Sequence, residues 1–473
     1  MAVHDDGAWR DRTVEEPGGS VPVGSEHEDT GGSREPEDSG DGRPKLRRAL
    51  AALGPGLITG AADNDPSGVA TYAQAGAMFG NASLWAVPVT LPLMLAVQET
   101  ADRTALATGQ SLGALARRKF GRGARTVLAV LLVVLLVSNV LQLSADLMAV
   151  GSGMEMLHGG PAQLWSAVAG TGILVAMLTG SFEFVARLIK WLCLSLLAYF
   201  GVLVVTGVDW ADVGSGLLGT QFEWNSDYLG IMVAVLGTTI SPYLFFWQSS
   251  NRIEQLRSEV GGDERPSQVR LTARNPRAAR RKWVDARVDV FTGMVFSQLV
   301  MFAVITATGA TLGTHHLEIR TAADAANALA PIAGPAAAAL FAVGFIGSGV
   351  LGVPVLAASA SAGIASLTGR SWGLDRTPRQ SPLFYLLVAL GTLAAIGLSL
   401  VYRDPIGLLV FSSVVQGIAA GPFLVVLMLV SSDRKLMGEH RNRTLSTVFG
   451  WAATLLMSIA GIVGIWHTVT SGP

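Results

Sequence analysis

From about Leu46 onward the sequence alternates long apolar runs with short polar loops. An α-helix rises about 1.5 Å per residue, so roughly 20 residues span a hydrocarbon core of about 30 Å. Eleven runs reach that length: 47–79 (interrupted), 82–107, 124–150, 162–180, 184–206, 227–250 (interrupted), 285–312, 335–366, 383–401, 405–430 and 445–467. No water is available in hydrocarbon to satisfy an open backbone, so such runs are expected as helices. The expectation is an all-α membrane protein with about 11 transmembrane helices.

Composition agrees with a bilayer as solvent. Charged residues are 15% of the chain, against roughly 25% in soluble domains. The 55 glycines suit helices whose backbones pack closely in lipid. A formal net charge of −1 argues against a nucleic-acid partner. The single cysteine, Cys193, excludes a disulfide framework within the chain and argues against a thiolate metal site. Residues 1–42 are acidic and rich in Gly, Ser and Pro, with few large apolar side chains. Such a segment buries too little to offset its ordering entropy. We read it as a disordered acidic cytoplasmic tail, and 43–473 as the transmembrane domain.

Basic residues set the orientation. They gather before the first run (Arg43, Lys45, Arg47, Arg48) and after the second (Arg117, Arg118, Lys119, Arg122, Arg125). Others follow the sixth, eighth and tenth runs, whereas the alternate loops carry little more than Arg320 and Arg403. This pattern predicts a multi-pass protein of the cytoplasmic (plasma) membrane with its N-terminus in the cytoplasm.

Two interruptions carry the chemistry. The first run contains Ala62-Asp63-Asn64-Asp65-Pro66-Ser67-Gly68, and the sixth contains Gly237-Thr238-Thr239-Ile240-Ser241-Pro242-Tyr243. An acidic residue at mid-membrane costs about 2.5–3.5 kcal/mol on insertion scales. Irregular backbone survives at that depth where it is buried in protein or lines a wet cavity. Runs one and six correspond if five helices form a repeat, and five is odd, so the two halves run in opposite senses. Paired breaks of this kind point to a transporter's substrate site. Asp65 and the freed carbonyls offer hard oxygen ligands to a cation.

These residues resemble the Nramp family of divalent metal transporters. Gly54-Pro55-Gly56 with Asp65-Pro66-Ser67-Gly68 is similar to the family's Gly-Pro-Gly and Asp-Pro-Gly-Asn signatures. Thr239 to Leu244 followed by Ser249-Ser250 is similar to its Met-Pro-His-Asn helix break, and Gln98-Glu99 through Ala107-Thr108-Gly109 is also similar. The resemblance covers nearly all of 47–467. It implies a LeuT-type inverted repeat (helices 1–5 and 6–10) with broken helices 1 and 6 and a metal between them. Movement of helices 1, 2, 6 and 7 against the rest would then give alternating access.

The departures from the family pattern matter equally. Asp65 matches the metal-binding aspartate, but the family's asparagine falls on Gly68 and its methionine on Ser241. Replacing a thioether by oxygen favours harder ions such as Mg²⁺, Ca²⁺ or Mn²⁺. The family's histidine falls on Tyr243, and its third-helix acidic pair on Asn139 and Gln142. Amides do not shuttle protons as carboxylates do, so proton coupling does not carry over with the resemblance. The chain reads as a divergent branch.

The metal site is therefore expected to comprise Asp65, the backbone near Ala62 and Thr238, Ser241, and a helix-10 polar group, either Gln416 or Ser413. Asp63, Asn64, Gly68, Thr239, Tyr243, Asn139, Gln142 and Asp146 are expected along the ion path or around the site. Asn139, Gln142 and Asp146 share one helical face, where they line either a path or an interhelical hydrogen-bond cluster. Glu99, Asp102, Arg103, Glu183, Arg187, Lys190, Asp285, Arg287 and Asp289 gather near the expected cytoplasmic face, either as an ion-pair gate or as interfacial charge. The adjacent His315 and His316 read as solvated loop residues. No nucleotide-binding loop or nucleophile motif is visible, so no enzyme and no cofactor is expected. The expected partners are the metal substrate and the bilayer, with no obligatory protein partner. The function expected is secondary transport of a divalent cation. Two rivals are a transporter of an amino acid or other small solute on the same fold, and a non-transporting metal sensor.

Overall fold

A computed structural model describes residues 54–180, 192–259, 270–313, 335–402 and 405–471. The acidic segment 1–42, Glu183, Arg187, Lys190, His315 and His316 lie outside the described residues. The described chain is helical, without β-strands. In order it forms α1 (Pro55–Ala62), α2 (Pro66–Phe79), α3 (Ala86–Thr108), α4 (Leu112–Lys119), α5 (Arg122–Met156), α6 (Ala162–Thr179), α7 (Leu197–Val205) and α8 (Trp210–Leu217). There follow α9 (Ser226–Thr239), α10 (Pro242–Glu259), α11 (Pro276–Thr311), α12 (Pro335–Leu367), α13 (Pro382–Val401), α14 (Pro405–Ser431), α15 (Arg434–Met437) and α16 (Thr444–Ser471).

Each of the eleven apolar runs contains described helix. By length and hydropathy, seven described spans can cross a membrane, or up to nine if each bent pair forms one span. Run 184–206 is described only from residue 192. The short helices α4 and α8 lie between apolar runs, and local signals start them. Ser111 accepts from the Ala114 amide, and Asp209 accepts from the amides of Ala211 and Asp212, so each side chain satisfies N–H groups that a helix start leaves open.

The exposed faces are apolar, as a lipid-facing surface requires. Val127, Val130, Val134 and Val137 recur at helical spacing along one exposed side of α5, and Leu386, Leu390 and Leu393 do so on α13. The broken span α9–α10 is the most enclosed, with 89% of its apolar window buried against 39% for α5. α11 packs on α1, α2 and α3, while α14 packs on α5, α9 and α16. The approach of α1 to α11 is close enough to demand glycine. A Cβ on Gly60 would stand 2.0 Å from the Gly293 carbonyl oxygen, and one on Gly293 2.0 Å from that of Gly56. Backbones this near are typical of membrane helix contacts through small residues.

Candidate metal site at two helix breaks

The first run breaks where its residues cannot continue a helix. α1 ends at Ala62, Asp63 still has helical angles, and Asp65 is extended at φ −65°, ψ 170°. Pro66 then occupies the first turn of α2, where its missing N–H costs nothing. Asp65 is thus the N-cap of α2. Its Oδ1 accepts from the Gly68 amide at 3.0 Å and the Ser67 hydroxyl at 2.6 Å. Its Oδ2 accepts from the Tyr243 hydroxyl at 2.9 Å and from Gln142 Nε2. Asp65 is fully buried and forms no ion pair among the described residues. Four donors hold this carboxylate, each of them neutral.

The sixth run breaks between Thr239 and Pro242. Ser241 donates to the carbonyl oxygens of Gly237 (2.7 Å) and Thr238 (2.8 Å), filling the open end of α9. Tyr243, the second residue of α10, reaches the other break, with its hydroxyl 3.2 Å from the Ala62 carbonyl oxygen. Both carbonyls expected to face an ion are therefore engaged by hydroxyls of the chain itself. Thr239 donates to Val235 O at 2.6 Å and lies 3.1 Å from the Tyr72 hydroxyl. Thr238 Oγ1 is buried without a hydrogen-bond partner.

Gly68 is dictated by packing. A Cβ there would stand 2.9 Å from Asp63 O and 3.3 Å from Thr238 Oγ1. The asparagine that the resemblance places here has no room in this arrangement.

The polar face of α5 divides its labour. Gln142 donates to Asp65 and, at 2.8 Å, to Ser67 Oγ, and accepts from Gln416 Nε2. Of the two helix-10 candidates, Gln416 is thus joined to Asp65 through Gln142. The side chain of Ser413 lies outside the described residues. Asn139 turns instead to α12, donating to Leu356 O at 2.9 Å and Ser359 Oγ at 3.1 Å. Asp146 is fully buried, and both its oxygens lack hydrogen-bond partners.

Two further residues complete the first break. Asp63 Oδ2 accepts from Ser297 of α11, and its Oδ1 has no partner. Asn64 donates to Gly60 O at 3.1 Å and leaves its own Oδ1 unpartnered. Among the described residues no group of three or more His, Cys, Asp or Glu could hold a metal. Any cation here must draw on amide, hydroxyl and carbonyl oxygen beside the carboxylates.

Below the break lies a buried charge network. Asp289 Oδ1 accepts from the amides of Gly54 (2.7 Å) and Leu57 (3.2 Å), and its Oδ2 from Gly56 N (2.9 Å) and Arg252 Nη2 (3.2 Å). Arg252 Nε and Gln248 Nε2 both donate to Asp102 Oδ1 at 2.7 Å, and Thr59 bonds Gln248. This ties α1, α3, α10 and α11 together through charges that are 2–3% exposed. Arg103 pairs with Glu99 at 3.3 Å outside this knot, and Arg287 is exposed. Sequence reading named Asp102 and Asp289 but missed Arg252, Gln248 and Ser297. Gln248 lies at the polar end of the run 227–250, and Arg252 lies just beyond it in the polar part of α10.

The model of the Nramp family (natural resistance-associated macrophage protein-like) matches residues 56–467. The chain belongs to the Nramp family. Nramp relatives include proteins named divalent metal cation transporter MntH. The one from Deinococcus radiodurans is 26% identical over 431 residues, covering 89% of this chain and 91% of its own length. The one from Mycobacterium leprae is 26% identical over 443 residues, covering 90% and 94%. Among solved structures, the Nramp fold is matched by a manganese transporter from Eremococcus coleocola, with a TM-score of 0.70 at 15% identity, covering 92% of this chain and 90% of that one. Mhp1, a nucleobase-cation-symport-1 family transporter, aligns with a TM-score of 0.53 at 15% identity. The expected broken-helix transporter fold is therefore the fold of this chain.

Proposed function

We propose that this protein carries a divalent cation across the cytoplasmic membrane by alternating access, with Asp65 as its principal charged ligand. One observation carries the reading. Asp65 is a fully buried carboxylate with four neutral donors, and it joins both helix breaks through Tyr243. A buried anion without a cationic partner is costly, and an arriving cation relieves that cost. The ion replaces the Tyr243 hydroxyl or the Gln142 amide on Oδ2. Those donors serve in its absence and step back when it binds. The names of the MntH relatives support a divalent metal as cargo.

The ligands we assign are oxygens: Asp65, Gln416 Oε1, Thr238 Oγ1 and the Ala62 carbonyl. Oxygen-only coordination suits Mg²⁺, Mn²⁺ or Ca²⁺ over softer ions. Asn139 and Gln142, where the family resemblance expects acids, are amides that donate to Leu356 and Asp65. They bind and release no proton at ordinary pH, and we assign them a structural part. We place the N-terminus in the cytoplasm, on the distribution of basic loops.

The test is uptake of Mg²⁺, Mn²⁺ and Ca²⁺ into proteoliposomes with and without a proton gradient. Asp65→Ala should abolish uptake while the purified protein remains monodisperse. Uptake at the parental rate by a well-folded Asp65→Ala variant would refute the assignment.

A further inference from the structure

Asp146 has no role in the arrangement described so far, yet it is the least satisfied group near the break. It is fully buried on α5, and neither carboxylate oxygen has a hydrogen-bond partner among the described residues. Ionised, it lacks any donor. As a buried polar group it is left unsatisfied among the described residues.

Its position is informative. A Cβ built on Gly352 of α12 would stand 2.9 Å from Asp146 Oδ2 and 3.2 Å from Asp65 Cβ. Asp146 Oδ2 and the Cβ of Asp65 thus approach one point beside α12, which the absence of a side chain at Gly352 leaves free. A second unsatisfied oxygen belongs to the same network. Gln416 donates through its Nε2 to Gln142, itself bonded to Asp65, while its buried Oε1 has no partner. The Asp side chains of the inner network are different in kind, because Arg252 compensates Asp102 and Asp289.

We infer that Asp146 is a second carboxylate ligand of the transported cation, facing Asp65 across Gly352, so that the site takes a hard divalent ion as a charge-neutral unit. Two carboxylates cancel a double positive charge, and in a medium of low dielectric constant neutrality decides whether an ion can be sealed from water. The remaining shell comes from Gln416 Oε1 and from water or hydroxyl oxygen, a set that matches Mg²⁺ coordination. The second carboxylate takes over part of the binding that asparagine and methionine would supply at the positions now held by Gly68 and Ser241.

This inference rests on the Asp65-centred site proposed above, and the experiment separates the two. Mg²⁺ and Mn²⁺ binding is measured by equilibrium titration of full-length purified protein, for the parent and for Asp65→Ala, Asp146→Asn and Gly352→Ala. Asp65→Ala should abolish binding. Asp146→Asn keeps the shape and removes the charge, and should weaken Mg²⁺ binding at least tenfold. Gly352→Ala retains both carboxylates but places a methyl group against Asp146 Oδ2 and Asp65 Cβ, and should weaken Mg²⁺ binding to a similar degree. Parental affinity in Asp146→Asn, with binding lost in Asp65→Ala, overturns the second ligand and leaves the first in place. Parental affinity in Asp65→Ala overturns both. If Asp146→Asn does not yield folded protein, Gly352→Ala decides: parental Mg²⁺ affinity there overturns the inference.

Discussion

The hydroxyl of Tyr243 lies 2.9 Å from Asp65 Oδ2, and the same hydroxyl lies 3.2 Å from the Ala62 carbonyl oxygen. On the proposed function a cation bridging the two helix breaks would take this place, and the hydroxyl and the ion would compete for Oδ2.

Tyr243→Phe removes the competitor and one buried hydrogen bond, a loss of about 1 kcal/mol of stability. The expected outcome is a few-fold lower KM for Mg²⁺ uptake, with a folded protein of slightly reduced Tm. Proteoliposome uptake over a range of Mg²⁺ concentrations checks it. A raised KM would place Tyr243 among the ligands instead of among their substitutes.

Asp289 closes the opposite end of α1. It accepts from three backbone amides at the start of that helix and from Arg252. Asp289→Ala leaves these amides and a buried guanidinium without that partner. Breaking one side of a buried ion pair costs about 3–5 kcal/mol, although Asp102 still holds Arg252 and places the loss at the lower end. Because the network joins α1 to α3, α10 and α11, its loss should free α1 locally before the whole fold fails. The expected readout is faster thiol labelling of a Thr59→Cys probe in a Cys193→Ser background, together with a lower Tm. Unchanged labelling would mean that α1 is held by its glycine contacts with α11 alone.

The breaks were legible in the sequence because proline, glycine and acidic residues are conspicuous against apolar neighbours. Asp65 followed from the cost of its charge in a membrane. The alternation of polar and apolar stretches foretold helix in each described run. What stayed hidden depends on contacts between distant segments. Gln416 and Ser413 are less than one helical turn apart, and only the bond of Gln416 to Gln142 separates them. Gly352 is one glycine among 55, and its place shows when Asp65 Cβ and Asp146 Oδ2 both approach it. Ser297 is an ordinary serine in an apolar run until Asp63 accepts its proton. Asn139 and Asp146 share a helical face in sequence, yet one turns to α12 and the other is left unsatisfied. Periodicity assigns a face but not the neighbour on it.

Gly68→Asn tests whether the oxygen-only site can be returned to the family pattern by one substitution. On chemistry alone the added amide would be a further ligand and should strengthen binding. Packing gives the opposite sign. Its Cβ would lie 2.9 Å from Asp63 O and 3.3 Å from Thr238 Oγ1, in a segment where α2 packs directly on α9. Neither the backbone carbonyl nor a β-branched side chain can yield freely, and overpacking of this kind costs about 1–3 kcal/mol. The amide of residue 68 also donates to Asp65 Oδ1, so any shift of this backbone moves the proposed principal ligand. The expected outcome is a lower Tm and at least tenfold weaker binding of both Mg²⁺ and Mn²⁺, measured by equilibrium titration. Tighter Mn²⁺ binding in a folded Gly68→Asn variant would show instead that the break has slack enough to accept the asparagine, and that its absence here is not imposed by packing.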